Sequence, residues 1–281
     1  MKKRFRKVYV EISNKCNLCC AFCPGTKRPA RSMTAEEFQL LLPKLKPYTD
    51  YLYFHVMGEP LCHPLLENFL AQSHQQGFRV ILTTNGTLLP NRQQVLLQSP
   101  ALHKIHISLH AFEANDISTS FRDYIHGCIQ FGKAAEGKCI VVYRLWNNGG
   151  QDEKNAEILD ALHHAFPQDW IPGKQGTAIG DRIFLEPGDK FDWPDLSAQE
   201  RTGCFFCYGL RDQLGILADG TVVPCCLDHE GDIVLGNVFR EELEDILHCE
   251  RAQALFNGFS QGVATEELCR RCGYAGRFRK V

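Results

Sequence analysis

The stretch CNLCCAFC, residues 16–23, places four cysteines in eight positions. Taken by spacing, Cys16, Cys20 and Cys23 form C-x3-C-x2-C and leave Cys19 over. Three thiolates in one short loop can hold three corners of a [4Fe–4S] cube and leave the fourth iron open, whereas structural zinc takes four ligands. An open iron is a place for chemistry. A second group comes late in the chain: Cys204 and Cys207 in CFFC, Cys225 and Cys226 in PCC, and Cys269 and Cys272 in CRRC. Four of these thiols would close a site with no open position. Spacing alone does not separate an iron–sulfur cluster there from a zinc ribbon built on Cys204-x2-Cys207 and Cys269-x2-Cys272.

The remaining cysteines, Cys62, Cys128, Cys139 and Cys249, read with Cys19 as small core or filler residues. A disulfide framework would be the third use of fourteen cysteines, but MKKRFRKVYVEIS runs straight into strand-like residues with no secretory h-region. A cytoplasmic, reducing setting is expected, in which clustered thiols do metal or redox work.

Elements must bring these residues together. β-branched and aromatic runs at 8–13, 51–56, 78–84, 104–109, 139–146 and 182–186 alternate with helical patterns near 34–46, 64–76, 90–98, 119–136 and 152–165. That alternation predicts a parallel sheet of βα units. Six units are too few for an eight-stranded barrel, so an open, partial (β/α)6 barrel is expected. Thr34 with Glu37, and Asp152, are the helix-start signals. Parallel strands gather their following loops at one end. The cysteine loop, MGEP (57–60), TNG (84–86), SLH (108–110) and Arg144 all fall at consecutive strand ends, which predicts one shared pocket. KQGTAIG (174–180) reads as a flexible connection, and EPGDKFDWPDLS (186–197) as a linker. Beyond it come a hairpin over 214–226 turning at Asp219-Gly220 and a helix near 240–256. The predicted division is residues 1–190 for the barrel and 191–281 for a small cysteine-bearing domain.

The segment EISNKCNLCCAFCP resembles the signature of the radical S-adenosylmethionine (radical SAM) superfamily, in which C-x3-C-x2-C follows the first barrel strand and an aromatic, here Phe22, precedes the last cysteine. The resemblance implies that Cys16, Cys20 and Cys23 hold a [4Fe–4S] cluster whose open iron is chelated by S-adenosylmethionine. Gly58 and Glu59 match the motif that receives the methionine amino group, with Met57 in place of the usual first glycine. Ser108 falls where a hydroxyl meets the ribose or carboxylate, and Arg144 where a cation neutralises the carboxylate. From Cys207 through Gly220 to Cys225 the chain reads C-x12-G-x4-C, which resembles the opening of a SPASM or shorter twitch extension. This implies one auxiliary [4Fe–4S] cluster on Cys207, Cys225, Cys269 and Cys272, with zinc as the alternative occupant. The implied chemistry is reductive cleavage of S-adenosylmethionine to a 5′-deoxyadenosyl radical that takes hydrogen from a substrate. A flavodoxin- or ferredoxin-type reductant would supply the electron, and the auxiliary cluster would carry one away.

Composition narrows the substrate only coarsely. A net charge of −2 gives no general attraction to nucleic acid, although Lys2, Lys3, Arg4, Arg6 and Lys7, and then Lys27, Arg28 and Arg31, make the opening region basic. A tRNA-modifying enzyme of the same superfamily is one alternative and a zinc-ribbon scaffold another. No apolar run reaches bilayer length, and no phosphate-binding glycine loop is present. With no recognition domain ahead of the barrel, a small molecule or short peptide is the expected substrate. His106 and His110 alternate with Ser108 on one strand face, so His110 can reach the pocket mouth.

Overall fold

The computed structural model describes residues 3–115, 118–174 and 176–278; Lys2 of the basic opening lies outside them. Strands form where the sequence runs apolar between turn residues. In chain order they are β1 (Lys7–Val10), β2 (Tyr51–Phe54), β3 (Arg79–Thr84), β4 (Leu102–Ser108), β5 (Ile140–Asn148), β6 (Ile171–Gly173), β7 (Gly176–Gly180), β8 (Ile183–Asp189), β9 (Gln213–Ile216), β10 (Thr221–Val223) and β11 (Gly236–Asn237). Five helices lie between the first strands: α1 (Ala35–Leu45), α2 (Leu66–Gln75), α3 (Leu89–Gln98), α4 (Phe121–Ala134) and α5 (Asn155–Ala165). Three more follow β11: α6 (Leu243–His248), α7 (Glu250–Ser260) and α8 (Glu267–Arg270). Among the described residues, no helix is long and apolar enough to cross a membrane.

β1, β2, β3, β4, β5 and β8 are the six parallel strands of the expected partial barrel. Their helices pack through one apolar stripe each; in α1 that stripe is Phe38, Leu41, Leu42 and Leu45, at helical spacing. The capping box on α1 forms as expected, with Thr34 accepting from the Glu37 amide and Glu37 reaching back to the Thr34 amide.

Four readings are corrected. Within KQGTAIG, Gln175 lies outside the described residues and Gly176–Gly180 is no flexible connection: β7 pairs antiparallel with both β6 and β8, and Ile179 is fully buried. Its glycines hid the strand, and Gly176 has a reason to be one. At φ +101° a Cβ there would meet the Leu185 carbonyl oxygen at 2.5 Å. Asp152 does not cap α5; the cap is Lys154, whose amide donates to Glu113 Oε2 at 3.3 Å. The helix near 240–256 breaks at Cys249, which turns extended and accepts the Ala252 amide on its thiol, so α6 and α7 are separate. The linker begins later than read, because β8 continues through Pro187 to Asp189.

The late segment does not sit apart. β9 adds parallel to β1, pairing Lys7 with Gln213 through Val10 with Ile216, and β10 and β11 follow antiparallel. All eleven described strands therefore form one sheet, with the late hairpin extending the barrel at its β1 edge. The hairpin turns at Asp219-Gly220 as expected, with Gly220 at φ +85°.

Candidate functional site

The loop after β1 is pinched at its neck. Asn14 Nδ2 donates to the Pro29 carbonyl at 2.9 Å, its Oδ1 accepts the Arg31 amide at 2.8 Å, and Ser13 bridges to Ser32. The pinched loop presents Cys16, Cys20 and Cys23 together. Cys16 Sγ accepts the Leu18 amide at 3.4 Å, Cys20 Sγ accepts Asn115 Nδ2 at 3.1 Å, and Cys23 Sγ lies 4.0 Å from Met57 Sδ. Burial raises the Cys20 thiol to about 11, and the charges of Cys23 and Cys16 push the same way; Cys16 is raised by burial, then by Glu59 and Cys23. Thiolates that repel one another in a half-buried loop are stabilised by a cationic metal centre, which deprotonates its own ligands. Cys19 is exposed and instead donates its amide to Asn115 Oδ1 at 2.9 Å.

The MGEP turn is strapped against this loop. Gly58 sits at φ +79°, and a Cβ there would stand 2.3 Å from the Ser13 carbonyl oxygen and 2.8 Å from that of Lys15. Only glycine permits this approach. The next amide, Glu59, donates to the Lys15 carbonyl at 2.9 Å. The Glu59 side chain is 2 % exposed; Oε1 accepts the Leu61 amide at 3.0 Å and Oε2 the Asn85 amide at 2.7 Å. Burial raises its carboxyl to about 7 against those hydrogen bonds. The carboxylate thus caps the 3-10 turn Pro60–Cys62 and ties the β2 loop to TNG. The Thr84 hydroxyl also hydrogen-bonds the carboxylate, which keeps acceptor capacity for a cation such as an ammonium group.

Inside the barrel a cavity of about 520 Å³ opens toward the same loop. Phe22, Ser108 and His110 line its upper end, with the Phe22 ring 4.9 Å from that of His110, while Arg144 comes from β5. Arg144 is no surface residue. Its Nε donates to Glu186 Oε2 at 3.0 Å and its guanidinium lies 4.3 Å over Trp146. His110 Nδ1 is 3.1 Å from the Arg144 carbonyl oxygen, and His106 lines the wall with an Nδ1 that has no hydrogen-bond partner.

On the other side of the cavity the late cysteines converge. Cys225 is raised well above the usual thiol range by burial and then by the charges of Cys226, Cys207, Cys269 and Cys272; Cys207 is pushed up to about 11 by burial with Cys272 adding. The structure therefore brings Cys207, Cys225, Cys269 and Cys272 together. Cys226 stays in that neighbourhood, its charge acting first on Cys225, while it also lines the cavity and bonds Tyr9; Cys204 is exposed beside Gly262. All fourteen cysteines are free thiols in the structure. Among the described residues, no three His, Cys, Asp or Glu side chains stand in a set that would hold one metal ion.

Sequence reasoning passed over the residues that hold these parts in place. Glu11, 1 % exposed, takes Arg28 Nη1 and Nη2 at 2.8 and 2.7 Å, the Ala218 amide at 3.1 Å and the Met57 amide at 3.2 Å. Asn85 and Asn115 aim amide donors at Cys16 and Cys20. A glutamate inside an otherwise apolar strand was the available signal for Glu11; no pattern marked Asn115.

Comparison with known proteins agrees with this geometry. Residues 10–171 match the profile of the Radical SAM superfamily, and residues 207–273 match SPASM, an iron-sulfur cluster-binding domain. The chain is 21% identical over 280 residues to the S-adenosyl-L-methionine-dependent 2-deoxy-scyllo-inosamine dehydrogenase of Niallia circulans, covering 97% of this chain and 94% of that one. Among solved structures, BtrN in complex with AdoMet and 2-DOIA superposes with a TM-score of 0.64 at 21% identity, covering 97% of this chain and 94% of that one. Streptococcus suis SuiB bound to the precursor peptide SuiA gives 0.62 at 16% identity, over 96% of this chain and 71% of that one. At these identities the structural likeness is one of fold.

Proposed function

Because the chain belongs to the radical SAM superfamily and carries a SPASM iron–sulfur domain, we propose that it removes hydrogen from a small molecule held in the barrel cavity and passes an electron to an auxiliary [4Fe–4S] cluster. One observation carries this reading: a single cavity is walled by Phe22, next to Cys23, and by Cys226, next to Cys225, so a molecule inside it lies between the two cysteine sets. A cavity of about 520 Å³ is in the range of small-molecule sites. When bound, the first cluster and S-adenosylmethionine supply a 5′-deoxyadenosyl radical by reductive cleavage.

The chain's own groups bind, orient and exclude. Cys16, Cys20 and Cys23 are the ligands to the first cluster, and Cys207, Cys225, Cys269 and Cys272 to the second. Asn85 and Asn115 donate toward the sulfurs of Cys16 and Cys20, a contact that stabilises thiolate. Glu59 receives the ammonium group of S-adenosylmethionine beside Cys16, Gly58 lets that turn close on the loop, and Phe22 and Ser108 bound the adenosyl end. The aromatic walls of Tyr9, Tyr53 and Trp146 keep water from the reacting carbon. The barrel unit runs to about residue 190 and the cluster unit onward, a division of sequence more than of hydrogen bonding. A flavodoxin- or ferredoxin-type protein as electron donor and a cytoplasmic, reducing location complete the proposal.

The test is anaerobic incubation with S-adenosylmethionine and dithionite. Purified protein should carry about eight irons, little zinc, and form 5′-deoxyadenosine. About four irons and one zinc would remove the electron-accepting role, and no deoxyadenosine would remove the radical chemistry.

A further inference from the structure

The cavity is unevenly charged. Arg6, Lys7, Lys104, Arg144 and Lys190 line it against one carboxylate, Asp212. Arg6 pairs with Asp212 at 2.7 Å and Arg144 with Glu186 at 3.0 Å, which leaves Lys7, Lys104 and Lys190 without an ion pair among the described residues. Lys7 and Lys190 are exposed, whereas Lys104, on β4, is half-buried.

Arg144 is also incompletely used. Its Nε alone meets Glu186, and its two terminal nitrogens, which form the fork that matches a carboxylate or phosphate, have no protein partner among the described residues. The guanidinium lies inside the barrel, because its charge presses on Tyr53, His55, Lys104 and His106, side chains of β2 and β4 or just beyond β2. Burial and then the Arg144 charge disfavour the Lys104 ammonium; Glu186, already paired with Arg144, offsets only part of this, and a second anion on the free fork would relieve more. The unpartnered Nδ1 of His106, a residue 7 % exposed, adds an unmet polar group to the same wall.

Resting on the function proposed above, we infer that the substrate is a small oxyanion-bearing molecule, a carboxylate or a phosphate ester, whose anionic group is held between the guanidinium fork of Arg144 and the ammonium of Lys104. This moves Arg144 from the cofactor carboxylate, where the sequence resemblance put it, to the substrate. Cationic amines are excluded by the same charges.

The test is anaerobic calorimetry on the reconstituted holoprotein with saturating S-adenosylmethionine, using benzoate, phenyl phosphate, benzyl alcohol and benzylamine as ring probes of differing charge. One or both anions should bind at least about tenfold more tightly than the alcohol, since a charge-assisted hydrogen bond contributes that much, and the tighter anion tells carboxylate from phosphate. Benzylamine should not bind. Lys104→Ala should weaken the anion about tenfold and Lys104→Arg restore it. Equal affinity for anion and alcohol overturns the inference without any variant. So does anion binding that S-adenosylmethionine abolishes, because the cations would then serve the cofactor. Deoxyadenosine formation is measured on the same preparation: its presence with a flat charge series sinks the oxyanion alone, and its absence beside selective anion binding sinks the radical reading alone.

Discussion

Replacing Glu11 by Gln tests whether one buried ion pair holds the site together. The Glu11 side chain is fully buried and that of Arg28 is 14 % exposed, and four donors converge on the two carboxylate oxygens: two from Arg28, one from Ala218 and one from Met57. Arg28 also donates through Nε to the His229 carbonyl at 2.8 Å. Glutamine offers one acceptor oxygen and turns an NH2 toward an Arg28 nitrogen and a backbone amide. Two donors then face a donor, and the guanidinium keeps its charge without a counter-ion. Breaking a buried pair from one side costs about 3–5 kcal/mol. With a urea slope of about 1–3 kcal/mol per molar, the anaerobic unfolding midpoint should fall by about 1–2 M or more. Arg28→Met should do similar damage by stranding the carboxylate, while the double variant Glu11→Leu, Arg28→Met should recover part of the loss, because an apolar pair of similar volume replaces both charges. Tryptophan fluorescence and the visible cluster absorbance report the transition together. A single variant within about 0.5 kcal/mol of the parent, the scatter of ordinary surface changes, would refute the organising role of this pair.

Gly58→Ala should be expressed with sharply reduced cluster content, because its Cβ would stand 2.3 Å from the Ser13 carbonyl oxygen; normal iron content would show that the turn can move. Replacing Cys16, Cys20 and Cys23 together by Ala should abolish deoxyadenosine formation, whereas Cys19→Ala should leave it largely intact, and equal losses would shift the ligand register. Burial holds His55 and His110 down to about 4, so the unfolded chain binds more protons than the fold below pH 6.5. Urea midpoints should therefore fall as pH drops from 6.5 toward 4; a flat profile would contradict the neutral, buried state of these rings. Glu59, raised to about 7, works in the opposite sense by losing stability as pH rises, so His110→Gln should flatten the acid-side fall specifically.

The barrel strands were legible because their β-branched and aromatic runs stand out between turn residues even where one face lines the cavity, as Lys104, His106 and Ser108 do on β4. The chemistry-bearing loops were legible for a related reason, since parallel order puts every strand end on one side. The β6–β7 hairpin was not, because its glycines serve close backbone approach to β8 and look like flexibility in one dimension. In the site, cysteine spacing carried both thiol sets, yet nothing local could tell that Glu59 spends one bond on each of two loops, or that Arg144 lies inside the barrel stacked on Trp146. Glu11 and Asn115 escaped for the same physical reason: their partners are distant in sequence, and a lone polar residue has no period.

The parallel pairing of β9 with β1 bears on any attempt to shorten the protein. A fragment ending after β8 would keep all six barrel strands but uncover the backbone donors and acceptors of Lys7–Val10, an open rim inviting intermolecular strand addition. Such a fragment should collect in inclusion bodies, and short synthetic peptides spanning Gln213–Ile216 should compete for the vacated rim.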